Sequence, residues 1–445
     1  MDCLSEAKLL QYSKEACGHP GDYLLQSIKV GTVRAWCGSL HSICIAQVSL
    51  ESEMLASFII SLSAIAVIAF GFPVPDSFNE APVVDVTIFT PPADYNIPRT
   101  LYARTLLLKE SNKILATWEN YSPQPPLVYY PIFESDDLGQ TWHEIGQVHD
   151  QVNGWGMRYQ PFLYELPESI GGFPAGALLC AGNSIPANLS NTQIDLYASL
   201  DKGYVEVRCM FALPRLMKYS RTWNFVSHIA SGGEAIPDNG LTPVWEPFLM
   251  MYNGYMICYY SDQRDWPAHG QKLDHQISYD LRNWAPPVND VAYSNNTFRP
   301  GMTTVAHLPN GKYMMTYEFY GAPEIAFAVY YRQADDPTKF NEAEGQVLRA
   351  SNTGNVPAGS PYIVWTPVGG PNGTIVVSSG CCSTAFINRG LAEEGSEWIE
   401  VNTTAPASYT RSELVMPDQD LVLLTGGGVL GGTDNRVTAS TLNVG

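Results

Sequence analysis

Two glutamates stand inside apolar, strand-like runs of this 445-residue sequence, where carboxylates are rare. Glu246 follows Trp245, and Glu318 follows Tyr317. Burying a carboxylate without a partner is costly, so a functional role is one explanation, and a structural ion pair or a place at the rim of a sheet is the other. Two protein carboxyl groups that flank the same sugar can break a glycosidic bond: one protonates the leaving oxygen, and the other attacks the anomeric carbon or activates water.

Arginine, aspartate and aromatic residues occur together at several other points, a combination that suits sugar hydroxyls. The charged groups can make charge-assisted hydrogen bonds, and the rings offer flat apolar faces. Each such residue alone is more often part of a structural bridge, but their recurrence at the ends of strand-like runs favours a ligand site. The candidate sugar-binding residues are Arg158, Tyr159, Gln160, Trp245, Asp262, Arg264, Arg299 and Arg411.

Charge and motifs argue against several other classes of chemistry. The 44 acidic and 25 basic residues give a net charge of −19, which would repel the phosphates of nucleic acid. The eight histidines show no metal-ligand spacing, and there is neither a G-x-S-x-G nucleophile elbow nor a glycine-rich loop leading into a helix. We therefore expect no nucleic-acid partner, no metal ligands and no cofactor.

Short apolar or aromatic runs, separated by turn residues, must position these side chains. They have the length and the β-branched and aromatic content of strands, and no long amphipathic helix pattern is present. The runs lie at 101–108, 113–118, 127–133, 176–182, 247–261, 312–319, 326–332, 361–368, 373–379 and 421–427. The sequence therefore predicts an all-β chain.

The hairpin pattern S-x-D-x-G-x-T-W, an Asp-box, indicates how the strands are arranged. It is intact at 135–142, interrupted at 199–223 and shortened at 278–284. Its Ser and Asp can hydrogen-bond the turn backbone, so we expect these aspartates to be structural. Three copies at blade-like spacing favour a sialidase-like β-propeller. Residues 85–445 without 204–220 number 344, enough for about six blades, with seven smaller blades as the alternative.

The long apolar run 55–72 directly follows Met54 and has the character of a signal-peptide core. We expect translation to begin at Met54, so that 1–53 is an extension of the gene model. Residues 54–71 would then be the signal peptide, and 72–445 the secreted catalytic domain, with no stable membrane association after cleavage. The alternative is a membrane anchor with a cytoplasmic tail.

Residues 204–220 interrupt the second Asp-box, and removing them restores S-L-D-K-G-R-T-W. The codons of 203–205 can contain the splice donor GTAYGT, and those of 219–220 can contain the acceptor TAYAG. Splicing between them leaves a glycine codon in frame. We interpret the segment as a retained intron; a real loop insertion at a hairpin tip is the alternative.

Five of the nine cysteines lie in 1–53 and 204–220, which leaves Cys180, Cys258, Cys381 and Cys382. Four cysteines in so long a chain are not a disulfide framework. One bridge can form among them, and the sequence does not assign its partners. N-glycosylation sequons, some of which would be occupied in a secreted eukaryotic protein, stand at Asn120, Asn188, Asn295, Asn372 and Asn402.

Long segments of the sequence resemble the fungal exo-arabinanases of glycoside hydrolase family 93. The resemblance spans roughly 85–445 apart from 204–220, and it is carried by 153–168, 181–199, 225–249, 259–276, 298–318, 360–378 and 409–411. It implies a six-bladed propeller of the sialidase superfamily that attacks linear α-1,5-L-arabinan from a chain end and releases arabinobiose with retention of configuration.

The resemblance also implies the roles of three residues. The two family glutamates fall on the W-E-P and T-Y-E motifs, which makes Glu246 the acid/base and Glu318 the nucleophile. A family tyrosine falls on Tyr409, which would orient or tune the nucleophile. The implied substrate is plant cell-wall arabinan or its oligosaccharides, hydrolysed outside the cell by a monomer.

Two alternatives stay open. A sialidase, or another exo-glycosidase on the same scaffold, would need a cluster of arginines for a substrate carboxylate, and Arg158, Arg299 and Arg411 could form one. A non-catalytic sugar-binding propeller would have no need for the two glutamates.

Overall fold

The computed structural model describes residues 34–36, 45–47, 82–201 and 222–445. The chain divides into two compact units, Met1–Phe78 and Asn79–Gly445. In the first unit, the short strands β1 (Arg34–Trp36) and β2 (Ile45–Gln47) pair antiparallel. The predictions for the rest of 1–53, for 54–71 and for 204–220 lie outside the described residues. Within the described part of the chain, no helix is long and apolar enough to cross a membrane.

The second unit consists of six four-stranded antiparallel sheets, the blades. After β3 (Val86–Phe89), the chain builds one blade after another, each from its innermost to its outermost strand. Blade 1 contains β4 (Thr100–Leu108), β5 (Lys113–Asn120), β6 (Tyr130–Ser135) and β7 (His143–Val148). Blade 2 contains β8 (Met157–Glu165), β9 (Leu178–Ser184), β10 (Thr192–Ser199) and β11 (Asn224–Gly232). Blade 3 contains β12 (Val244–Tyr252), β13 (Tyr255–Asp262), β14 (Lys272–Ser278) and β15 (Val288–Val291).

The remaining three blades repeat this order. Blade 4 contains β16 (Arg299–His307), β17 (Tyr313–Tyr320), β18 (Ala328–Ala334) and β19 (Gln346–Val347), with a 3₁₀ turn at Phe340–Glu342. Blade 5 contains β20 (Tyr362–Thr366), β21 (Thr374–Ser378), β22 (Thr384–Asn388) and β23 (Trp398–Asn402). Blade 6 contains β24 (Ser412–Val415), β25 (Leu421–Gly426), β26 (Val437–Asn443) and, as its outermost strand, β3.

The six innermost strands form a closed ring. Strands β4, β8, β12, β16, β20 and β24 contact one another in this order, and β24 contacts β4 again. The N-terminal β3 pairs with the C-terminal β26, so the two ends of the domain are joined within one sheet. This arrangement confirms the predicted all-β, six-bladed propeller, and the seven-bladed alternative is wrong.

The predicted apolar runs correspond to strands because most blades are covered on both faces. All seven residues of β9 are buried, and such strands are expected to form continuous apolar runs rather than alternating ones. One predicted run, 247–261, is two strands. Asn253 and Gly254 have φ values of 46° and 82° and make the two-residue turn between β12 and β13, a geometry that favours Asn-Gly.

The Asp-boxes join the third and fourth strands of their blades and are structural, as expected. In the intact copy, the Asp137 carboxylate accepts hydrogen bonds from the Thr141 N–H and hydroxyl, at 2.8 and 2.6 Å. In the interrupted copy, Asp201 accepts the same two bonds from Thr222, at 2.8 and 2.9 Å. The described residues on either side of 204–220 therefore close this hairpin as the uninterrupted copy does.

At one level of the ring, every blade carries a non-glycine residue with positive φ. The residue stands in the innermost strand or just before it, and in blades 1 to 4 it coincides with a β-bulge. The six residues are Tyr102, Gln160, Glu246, Met302, Ser360 and Thr410, with φ between 46° and 63°. Such conformations cost on the order of 1–3 kcal/mol each and re-aim side chains, which makes this level a candidate functional site.

Candidate active site

Residues from all six blades line one cleft of about 1170 Å³, which therefore lies on the propeller axis. Three of its aromatic residues occupy equivalent positions, each directly before a positive-φ residue: Tyr159 in blade 2, Trp245 in blade 3 and Tyr409 in blade 6. The repeated backbone bulge thus explains why sequence pairs such as Trp245-Glu246 contribute both an aromatic face and a polar group to the same place.

Glu246 occupies the bulge of β12 and is 8% exposed. Its Oε2 accepts hydrogen bonds from the Ser261 hydroxyl at 2.6 Å and from the Met302 N–H at 2.9 Å. Both bonds go to one oxygen, so Oε1 is the oxygen that can exchange a proton with a bound molecule. Burial raises the pKa of Glu246, and these two bonds, with the positive charges of Arg299 and Arg104, act against that rise.

Glu318 lies on β17, opposite Gly301 of β16. Its Oε2 accepts a hydrogen bond from the Ser360 N–H at 2.7 Å. A Cβ at Gly301 would lie 2.7 Å from Gln271 Nε2, so that side chain would have to shift, and 3.4 Å from Glu318 Oε1, which is an ordinary contact. Burial, and next the nearby charge of Glu246, raise the pKa of Glu318 to about 8.

A third carboxyl group, Glu119 of β5, lines the same cleft and was not predicted from the sequence. It accepts hydrogen bonds from the Tyr121 hydroxyl at 2.8 Å and from the Gln160 N–H at 3.1 Å. Burial raises its pKa to about 7. A signal was present, because Glu119 follows Trp118 at the end of an apolar run, as Glu246 follows Trp245. Its pairing opposite Leu101 is also equivalent to that of Glu318 opposite Gly301.

One hydrogen-bonding rule connects these groups. In each case the positive-φ residue of the following blade donates its N–H to a side chain of the preceding blade. Gln160 donates to Glu119, Met302 to Glu246, and Ser360 to Glu318. Glu246 itself donates to the Gln160 side chain, at 3.1 Å. The positive-φ residues therefore fix the carboxyl groups from across the blade junctions.

The titrations of Glu246 and Glu318 are linked, because the negative charge of Glu246 disfavours ionisation of Glu318. With its pKa raised to about 8, Glu318 is expected to hold a proton near neutral pH. Glu246 accepts two hydrogen bonds and Glu318 one, so the proton favours Glu318. This distribution is the reverse of the one that the resemblance implies for the start of the reaction.

Arg299 and Tyr409 also line the cleft with the two glutamates. The Arg299 guanidinium donates to Gln263 and Gln271 at 3.1 and 3.2 Å, and its charge favours ionised Glu246 and Glu318. Burial and the charges of the two glutamates hold the pKa of Tyr409 well above its ordinary value, so its phenol remains a hydrogen-bond donor. Of the candidate sugar-binding residues, Tyr159, Gln160, Trp245 and Arg299 line the cleft.

The other four candidates do not line the cleft. Arg158 donates to the Ile185 carbonyl at 3.2 Å. Arg264 pairs with Asp262 at 2.6 Å and donates to the Tyr260 hydroxyl at 2.8 Å.

Arg411 is fully buried and donates to the carbonyls of Ala405 and Thr384. These are the structural bridges that the sequence analysis gave as the alternative. The three arginines that a sialidase interpretation required are therefore not together, since among them only Arg299 reaches the cleft.

Solved structures of known enzymes are similar to this domain. The alpha-L-arabinanase of Penicillium chrysogenum, solved in complex with arabinobiose, is 50% identical, with a TM-score of 0.75 over 82% of this chain and 99% of that chain. The GH93 alpha-L-arabinofuranosidase of Fusarium graminearum, solved with an iminosugar inhibitor and with arabinobiose, is 48% identical, with a TM-score of 0.76 over 82% of this chain and 98% of that chain. No family model and no curated protein matches the chain. At this identity and coverage, the chain belongs to glycoside hydrolase family 93.

Proposed function

We propose that this glycoside hydrolase attacks linear α-1,5-L-arabinan from a chain end and releases arabinobiose with retention of configuration. The observation that carries the proposal is the pair of carboxyl groups, the buried Glu246 and the partly exposed Glu318, on neighbouring blades of one cleft. The substrate class is supported by the two family members that were solved with arabinobiose.

In the proposed reaction, the Glu318 carboxylate attacks the anomeric carbon while Glu246 gives its proton to the leaving oxygen. The glycosidic bond breaks, and a covalent glycosyl-enzyme forms at Glu318. Glu246, now ionised, removes a proton from water, which attacks the anomeric carbon and frees Glu318. Such a mechanism needs the two carboxyl groups about 5–5.5 Å apart, and this separation stays a prediction.

In the proposed roles, substrate binding must move the proton from Glu318 to Glu246 before the reaction begins. The glycosidic oxygen offers Glu246 Oε1 a hydrogen-bond acceptor, which favours a protonated Glu246. The positive charge that develops at the anomeric carbon favours an ionised Glu318. If the roles were exchanged, no such shift would be needed, so the assignment is tested by chemical rescue of variants.

The other cleft residues fit a neutral sugar. Tyr159 and Trp245 offer ring faces for stacking. Arg299 donates to sugar oxygens and stabilises the ionised glutamate, and the protonated Tyr409 phenol can hydrogen-bond the nucleophile. This role of Tyr409 is part of the proposal.

The test is a product profile on linear arabinan, followed by chromatography and by NMR of the first product formed. Arabinobiose of retained anomeric configuration, alone from the earliest time, is expected. Glu246→Gln and Glu318→Gln should each lower kcat at least about 100-fold, while Glu394→Gln, at an exposed surface position, should leave it unchanged. A ladder of oligomers would contradict exo-attack, and binding without any released sugar would favour a binding module.

Azide rescue of glycine variants distinguishes the nucleophile from the acid/base. With Glu318→Gly, azide should restore turnover and give a glycosyl azide of inverted configuration, because it replaces the nucleophile. With Glu246→Gly, it should give a product of retained configuration, because the covalent intermediate still forms. The opposite pairing of variants and products would exchange the two roles.

We also propose that the domain is secreted and acts as a monomer on plant cell-wall arabinan. The apolar run at 55–72 supports secretion. N-terminal sequencing of material from the culture medium should find a mature terminus near residue 72, and a terminus upstream of Met54 would refute the proposed start. Light scattering should give the mass of one chain.

A further inference from the structure

Two adjacent cysteines, Cys381 and Cys382, lie in the loop between β21 and β22, at the wall of the cleft. Their Sγ atoms are 2.6 Å apart. Cys381 is exposed and Cys382 partly exposed, whereas Cys180 and Cys258 are fully buried. This is therefore the one accessible thiol pair among the described residues.

The loop that carries the pair is bonded to the segment that holds Glu318. Gly380 N–H donates to the Gly359 carbonyl at 2.8 Å, and Cys381 N–H donates to the Ala358 carbonyl at 3.1 Å. The next residue of that segment, Ser360, donates its N–H to the Glu318 carboxyl group. The cysteine pair is thus linked to a proposed catalytic carboxyl group through two successive hydrogen-bonded contacts.

The surroundings favour reaction at Cys382. A hydrogen bond from the Cys381 thiol lowers the pKa of Cys382 to about 5, helped by bonds from Ser379 and Thr384 and by the charge of Arg411. The pKa of Cys381 is raised, because its proton is held in the bond to Cys382. Cys382 is therefore the thiolate of the pair, the form that attacks disulfides.

We propose that Cys381 and Cys382 form a vicinal disulfide, and that the resulting ring is part of the substrate-binding wall of the cleft. The oxidant is an exogenous small-molecule or protein disulfide. The Cys382 thiolate attacks one of its sulfurs and expels the first thiolate; Cys381 loses its proton, attacks the mixed disulfide at Cys382 and expels the second. The pair loses two hydrogens in total, and the exogenous disulfide becomes two thiols.

The disulfide ring would stiffen the cleft wall, but the bond itself would be strained. Adjacent Cα atoms lie about 3.8 Å apart, less than the usual 4.4–6.8 Å between bridged cysteines. A bridge between neighbours is therefore strained and reduced more easily than an ordinary structural disulfide. Because the ring fixes the loop next to 358–360, its reduction should weaken substrate binding more than it slows the chemical step.

Mass spectrometry of the full chain tests the bond without any substrate. After exposure to oxidised glutathione, native protein is treated with iodoacetamide, freed of N-glycan at Asn372 and digested with trypsin. The peptide 350–389 contains only these two cysteines. We expect it unlabelled and lighter by two hydrogens, and doubly labelled when a reductant precedes the iodoacetamide. Double labelling without a reductant, or a stable mixed disulfide with glutathione, would overturn the proposal.

The role in binding rests on the proposed arabinanase function and is measured separately. Reduction of the wild type is expected to raise KM for arabinan about three- to tenfold and to change kcat less. The variant Cys381→Ser with Cys382→Ser should resemble the reduced enzyme and should not respond to the reductant. An equal response of that variant, or an unchanged KM after complete reduction, would refute a place for the ring in the binding wall. If no arabinan is hydrolysed, the proposed function fails while the peptide mass still decides on the bond.

Discussion

Replacing Glu318 by glutamine should stabilise the domain at neutral pH while it stops catalysis. In the folded protein the pKa of Glu318 is raised to about 8, against an ordinary value of 4.5. Below pH 4.5 the group is protonated in both the folded and the unfolded state and has no linked effect. Between these two values the unfolded chain is ionised and the folded protein is not, so folding must take up a proton.

The magnitude follows from this shift. Each pH unit above 4.5 adds about 1.4 kcal/mol to the cost of folding, up to the pKa of the folded state. At pH 7 the cost is on the order of 3 kcal/mol, shared between the coupled carboxyl groups. A glutamine of the same shape carries no such cost. The free energy of unfolding of Glu318→Gln, relative to wild type, should therefore rise steadily between pH 4.5 and 8.

The assay is urea unfolding of wild type, Glu318→Gln and the surface variant Glu394→Gln at four pH values from 4.5 to 7.5. The difference between Glu318→Gln and wild type should grow with pH, and that of Glu394→Gln should stay constant. A difference for Glu318→Gln that is the same at every pH would show that this carboxyl group titrates normally in the folded protein. The explanation of its pKa by burial and by Glu246 would then be wrong.

Three further changes test other parts of the structure. Gly301→Ala places a methyl group 2.7 Å from Gln271 Nε2, so Gln271, which accepts a hydrogen bond from Arg299, must shift. The kcat should then fall and the free energy of unfolding should drop by about 1–3 kcal/mol; unchanged kinetics would refute this effect of the close approach. Arg299→Met removes a positive charge beside both catalytic candidates, so the pKa of each should rise and the acidic limb of the pH–rate profile should move to higher pH. Deleting 204–220 shortens the loop between Asp201 and Thr222 from 20 residues to 3, so urea unfolding should show a gain of about 1–2 kcal/mol in stability with activity retained.

Local sequence patterns were enough to predict the architecture. Strand-length apolar runs and the Asp-box at 135–142 predicted the blades, because both reflect contacts within a few residues or within one sheet. The closure of the propeller by β3 and β26 depends on residues that are more than 300 positions apart, and no local pattern predicts it. The boundary at Asn253-Gly254 was missed because strong apolar residues on both sides concealed a two-residue turn.

The catalytic candidates were predicted because each of these side chains contradicts its surroundings. Glu246 and Glu318 stood out as carboxylates in apolar runs, and both line the cleft. Arg264 and Arg411 have the residue type of a sugar ligand, but their partners, Asp262 and buried carbonyls, are supplied by the fold. An arginine in a structural bridge and one in a ligand site have the same sequence, because the difference lies in what the neighbouring strand places beside it.

The junctions between blades explain why the catalytic candidates come in this pattern. A propeller blade can supply a carboxyl group, but the N–H that fixes the group comes from the positive-φ residue of the following blade, Met302 for Glu246 and Ser360 for Glu318. The strained φ at these residues is stable only because the sheets on both sides hold the backbone in place. The site therefore requires the junctions between blades, and a chain whose blades form but do not close should bury an apolar core without presenting a correctly held pair of carboxyl groups. The strained φ values cost free energy in all six blades, whereas they contribute to the chemistry only at the few residues that line the cleft.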